Sequence, residues 1–289
     1  MEIIGNILLN FVMGFVNLII LPWHIYQWLT LETLKLKLNA ILLAGMSVEF
    51  FFMMLAVVFV LIAAGIYRRS FLRKTVYGLE QFNGKMGQFA AWFALLMMLQ
   101  QVMIIVMGQV FRGNELYFSP MGMQLFGEEL QWLSGQLKFY NAMLIAVASA
   151  YTFIEGGHVR VDLFYSGMSR RRQHWVDLLG TVFFLFPSAI LLWWFSWPIA
   201  MNSLFAQRPM NVWSTKASWR GMRFESSGTA EFSWVWSFKF LIVVFAALMF
   251  IVAVSFLLRN ILGLLEPDEE TPAHYSFEKA GKESPAPAQ

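Results

Sequence analysis

Three groups of residues in this chain have types and spacings that could do chemistry. Glu128-Glu129 is an adjacent carboxylate pair, useful for acid–base work only if both groups reach one substrate atom. Adjacent residues diverge on a helix, so the pair reads better as solvated or interface-bonding acids. Glu49 is the only acid well inside an apolar run. It could hold a cation or proton, but a carboxyl bonded to a neighbouring helix or hydrated near the surface is the preferred reading. The third group is Glu155-Gly156-Gly157-His158-Val159-Arg160-Val161-Asp162-Leu163, with Arg170-Arg171-Arg172 after it. Paired glycines can take the left-handed conformation that stops a helix. Polar His158, Arg160 and Asp162 then alternate with apolar neighbours, a period of two that suits an extended segment on a surface. The arginines mark the cytoplasmic side of a membrane.

Other chemistry is missing from the sequence. It has no cysteine, which excludes disulfides, thiolate metal sites and cysteine nucleophiles. No glycine-rich phosphate loop followed by Lys-Ser/Thr occurs, so the chain is not expected to hydrolyse ATP. A di-haem cytochrome needs histidines facing one another within spans. The four here are His24 near a span end, His158 and His174 at the surface, and His274 in the tail. The paired methionines, Met53-Met54 and Met97-Met98, suit helix packing better than metal ligation. We therefore expect no enzymatic activity, no cofactor and no metal.

The elements that must position these residues follow from composition. Of 289 residues, 58% are hydrophobic and 13% charged, against about a quarter charged in a soluble domain. Mean hydropathy is +0.57. The chain is predicted to be an all-α integral membrane protein with about six transmembrane helices and one interfacial amphipathic helix. The net charge of +3 sits in short clusters beside apolar runs, as lipid headgroups require, and offers no nucleic-acid surface. The partner so implied is the lipid bilayer.

A span needs about 20 apolar residues. Ile3–Leu31 and Ile41–Tyr67 qualify, joined by a tight connection over Leu31–Asn39. The first is too long, and lacks the early basic charge and cleavage site, for a signal peptide. A basic linker follows from Arg68 to Lys74, with Lys85 beyond it. Met86–Phe111 is a third span, with Gln100, Gln101 and Gln109 as polar points. Pro120 opens a stretch to Leu133 with apolar residues at helical spacing, read as the amphipathic helix, where Trp132 suits the interface. Phe139–Ile154 is a short fourth span. A fifth, capped by Ser169, runs to about Gln207. Its uncharged part would measure about 45 Å as a helix, so it must tilt, project, or kink at Pro187 or Pro198. A polar loop covers Gln207–Trp236, Phe240–Leu258 is the sixth span, and 266–289 reads as a disordered cytoplasmic tail. Basic clusters at Arg68–Lys74 and Arg170–Arg172, two spans apart, put both termini in the cytoplasm.

Glu128-Glu129-Leu130-Gln131-Trp132, and His158-Val159-Arg160-Val161-Asp162-Leu163 about thirty residues later, resemble the small membrane subunit of tripartite ATP-independent periplasmic (TRAP) transporters. The order of spans, acidic segment and basic turn from about Gly87 to Leu265 follows that family. The resemblance implies a subunit in the inner (cytoplasmic) membrane that works with a large membrane subunit and a periplasmic solute-binding protein. Substrate and ion sites would lie in the large subunit, with carboxylates as common substrates and an ion gradient as driving force. Glu128, Glu129, Trp132, Glu155, His158, Arg160 and Asp162 would then be interface or structural residues. Residues 1–75 add two spans and a basic linker to the four-helix domain expected over 76–265. Two other readings stay open at this level: a membrane anchor of a respiratory or other enzyme complex, and a stand-alone carrier. The second lacks the internal repeats and intramembrane charges such carriers show.

Overall fold

Six helices long and apolar enough to cross a membrane run through a computed structural model of the chain. The structure describes residues 2–113, 115–118, 126–154, 168–207, 219–229 and 231–265. Helix α1 (Glu2–Thr30), α3 (Val48–Tyr67), α4 (Arg69–Ile105), α5 (Leu130–Ile154), α6 and α7 (Arg170–Gly180 and Phe186–Leu204) and α8 (Val235–Leu265) make up the six. A short α2 (Leu34–Ala44) precedes α3. The spans alternate in direction, so the bundle has two ends. One carries the basic residues Arg68, Arg69, Arg171 and Arg172. The other carries α2 and two β-hairpins, and is called the strand end below.

Helix α8 is the axis of the bundle. More than half of its apolar window is buried, at 56%, against 6% for α1. Its small and branched residues Ala246, Val252, Ala253 and Ser255 are all nearly inaccessible, which lets α4, α5 and α7 pack around it. Helix α1 packs chiefly on α3 and turns most of its apolar side chains outward, Ile19 being 79% exposed. In a bilayer such exposure is no cost, because the surroundings are as apolar as the side chains.

Several boundaries differ from the sequence reading, each for a local physical reason. The second expected span is broken at Gly45-Met46-Ser47. Ser47 caps α3, its hydroxyl accepting from the Phe50 N–H at 3.0 Å, and α2 takes up most of the expected connection. Glu49 therefore lies in the first turn of α3, where the helix dipole favours an anion, and not deep in a span. The basic linker is no linker. Residues 69–85 are the first half of α4, because Leu72, Val76 and Asn83 fall on one face and are buried. With the π-helical turn Val106–Val110 the helix covers 42 residues, about 63 Å and twice the hydrocarbon thickness.

The expected amphipathic helix is also corrected. Residues 119–125 lie outside the described residues, but Phe126–Glu129 is a strand, β2, paired antiparallel with β1 (Glu115–Phe118). Helix α5 then starts at Leu130, so Trp132 and Leu133 belong to a 25-residue span. In the fifth span a π-helical turn, Thr181–Leu185, comes just before Pro187. It accommodates a ring with no N–H to donate. Strand β3 (Phe205–Gln207), at the end of the expected fifth span, pairs with β4 (Trp219–Met222) in the long loop. The tail from 266 lies outside the described residues.

Candidate functional site

Among the described residues, polar side chains bond from helix to helix within the bundle at two levels, one toward each end. Toward the strand end, Gln100 on α4 faces α5. Its Nε2 donates to the Leu133 carbonyl at 2.7 Å and to Gln136 Oε1 at 3.2 Å. Gln136 Nε2 in turn donates to the Tyr140 hydroxyl at 3.0 Å. An amide in an apolar span must find such partners, since an unmet polar group costs several kcal/mol there. The layer therefore locks the register of α4 on α5.

Toward the basic end, α4, α6 and α8 meet. Arg259 Nη1 lies 3.5 Å from Glu80 Oε1, with side chains only 15% and 12% exposed. The neighbouring Asn260 puts Oδ1 3.3 Å from His174 Nδ1, a bond made when that nitrogen carries the proton. An added Cβ at Gly263 would sit 2.5 Å from the His174 ring, so the imidazole lies directly on the α8 backbone. Asn83, fully buried, donates to the Leu79 carbonyl at 3.0 Å.

Outside the bundle, the segment before α8 is pinned to α5. Phe232 stacks on Phe139 at 5.2 Å and meets Trp132 edge-on at 5.4 Å. Its backbone N would be 2.6 Å from a Cβ at Gly135, so only glycine allows this approach. Lys138 Nζ reaches Glu231 Oε2 at 2.8 Å, and Lys239 Nζ reaches Glu225 Oε2 at 2.6 Å. The Lys239 ammonium, with the Ser203 hydroxyl beside it, holds the Glu225 carboxyl below its ordinary value against the opposing effect of burial.

Of the residues singled out in the sequence, the structure brings Trp132 into this aromatic cluster. Glu128 and Glu129 pair with Leu116 and Glu115 across the β1–β2 ladder, and the Glu129 side chain is exposed. Glu155, His158, Arg160 and Asp162 lie outside the described residues. His24 and His174 sit at opposite ends of the bundle. Among the described residues no group of three or more His, Asp or Glu could hold a metal ion. Sequence reasoning noted Gln100 as a polar point but assigned it no partner. Glu80, Asn83 and Asn260 went unmarked, since an isolated polar residue at a span's edge carries no sign of what it will meet.

Taken together, the geometry defines a multi-pass helical membrane protein whose interior polar groups tie helices to one another. The model of the DctQ component of tripartite ATP-independent periplasmic transporters matches residues 103–263, just over half of the chain. The chain belongs to this family, and is thus a small permease subunit of a transporter that resides in the inner membrane. Comparison with curated proteins and with solved structures returns no match.

Proposed function

We propose that the chain braces the large transport subunit of a TRAP-type secondary transporter and forms part of the surface on which a periplasmic binding protein docks. The ion-gradient-driven step, and the sites for a small carboxylate solute and its coupling ion, belong in this reading to the large subunit. The observation that carries it is the use made of polar groups within the spans. Gln100, Glu80, Arg259, His174 and Asn260 bond across helix pairs and so stiffen a bundle. A carrier instead aims such groups at a shared cavity. In this reading the strand end faces the periplasm and both termini the cytoplasm. Single cysteines at Lys216 and Arg171 check that orientation in a chain with no native cysteine. Only the first should react with an impermeant maleimide from outside, and labelling of Arg171 alone reverses the assignment.

The segment with Glu155, His158, Arg160 and Asp162 serves assembly in the same reading, with Glu128 and Glu129 as polar contacts on the opposite side of the membrane. The deciding experiment compares pull-down of the large subunit with uptake in vesicles containing binding protein and a sodium gradient. The chain alone should move no solute. Asp162→Ala should reduce recovery of the complex while leaving the apparent KM of the surviving complex unchanged. Uptake by the chain alone, or normal assembly with a raised KM, would overturn the bracing role.

A further inference from the structure

An apolar cavity of about 200 Å³ lies between α3, α7 and α8. Phe50 and Met54 of α3, Trp193 and Trp194 of α7, and Ala247 and Phe250 of α8 form its walls. It exists because α3 meets the family domain closely at two levels and not between them. At the strand end Trp197 covers Gly45 and Phe50 stacks on Trp193 at 6.0 Å. Nearer the basic end Val58 joins the cluster of Phe186, Val254 and Leu257. The match to the family covers α7 and α8 but not α3, so the third wall is supplied by the N-terminal addition.

Every lining side chain named here is only partly buried, so the cavity opens sideways, toward the bilayer. Ser47, the cap of α3, lines the end of the cavity nearest the strand end and is its one hydroxyl side chain. Met54 lies two turns deeper, about 10 Å along the helix. No charged residue lines the cavity, and an apolar hole offers water none of the partners it needs. An α-helix of a partner, about 10 Å across, is too wide for the space. Left empty, the walls would lose their dispersion contacts.

We infer that this cavity binds one acyl chain of a bilayer phospholipid, with its headgroup end toward Ser47 and its methylenes between Met54, Trp194 and Phe250. The lipid acts as a wedge between the N-terminal helices and the family domain. An ordinary surface lipid touches one helix face and exchanges readily. This chain is enclosed on three sides and is retained.

The test uses the full-length protein, reconstituted with phosphatidylethanolamine and phosphatidylglycerol carrying a photoactivatable diazirine midway along one acyl chain. The sample is then washed extensively in mild detergent before illumination and peptide mapping. Label should remain on Phe50, Met54 and Trp194, several-fold above that on the outward residues Leu8, Leu9 and Ile19 of α1. Ala247→Phe fills the space and should bring the lining label down to the α1 level; Met54→Phe serves as a second filling variant. Equal labelling of lining and α1 positions in the wild-type protein means surface lipid only and overturns the inference. So does undiminished lining label in a folded filling variant, or protection of the lining by the large subunit in the intact complex. If neither variant folds, the wild-type distribution decides by itself.

Discussion

Gly45→Ala tests how the N-terminal helices are fastened to the family domain. Gly45 has φ −64° and ψ −16°, a conformation open to any residue, so backbone strain contributes nothing. The cost is contact. A Cβ at this position would lie 2.0 Å from the Trp197 indole, and the ring has to move by more than an ångström to admit it. Trp197 Nε1 donates to the Leu42 carbonyl at 3.1 Å, and Trp193 Nε1 to the Gly45 carbonyl at 2.9 Å. Overpacking costs about 1–3 kcal/mol and each neutral hydrogen bond about 1. The expected loss is therefore about 2–5 kcal/mol, concentrated where α2 meets α7. A cysteine replacing Ala200, which is 1% exposed in the same cluster as Leu42, reports local opening by its rate of maleimide labelling. At a factor of ten per 1.4 kcal/mol, Gly45→Ala should raise that rate at least about tenfold. In a Trp197→Ala background the added methyl has nothing to strike, so the same substitution should add little. Unchanged labelling in Gly45→Ala, or full additivity in the double variant, would refute the reasoning.

Two further outcomes follow from the ion pairs. Glu80→Gln leaves the Arg259 guanidinium without its 3.5 Å carboxylate partner in a setting at most 15% exposed. It should cost about 3–5 kcal/mol in thermal denaturation, and Glu80→Gln with Arg259→Met should recover most of that; a loss of about 0–1 kcal/mol would place the pair in the solvated class. For Glu225 the folded carboxyl is held below its ordinary value by Lys239, so its contribution is present above the unfolded carboxylate pKa and lost as pH falls through the lowered folded value. Wild-type protein should lose more thermal stability than Glu225→Gln as pH drops through the acid range, and parallel pH profiles would contradict this.

Much of the fold is legible in the chain because crossing a membrane is a property of each window of about 20 residues. Ile3–Leu31, Met86–Phe111 and Phe240–Leu258 are apolar enough to identify themselves, and the count of six spans follows. Local composition says less about where helices begin. The basic residues from Arg68 to Lys74 suggested a linker. Leu72, Val76 and Asn83 have a shared face to bury only because α3 and α8 are beside them, and that makes the segment a helix. Phe126–Glu129 has helical spacing, but β1 offers its backbone a ladder and the segment takes it. Partnership is the least legible property. Gln100 needs Gln136 thirty-six residues away, and Trp197 needs a glycine 152 positions earlier. The sequence by itself determined that these polar and aromatic groups would enter the bilayer and require partners. Only the tertiary structure decided which partners they take, because the register between distant helices depends on all their side chains packing at once.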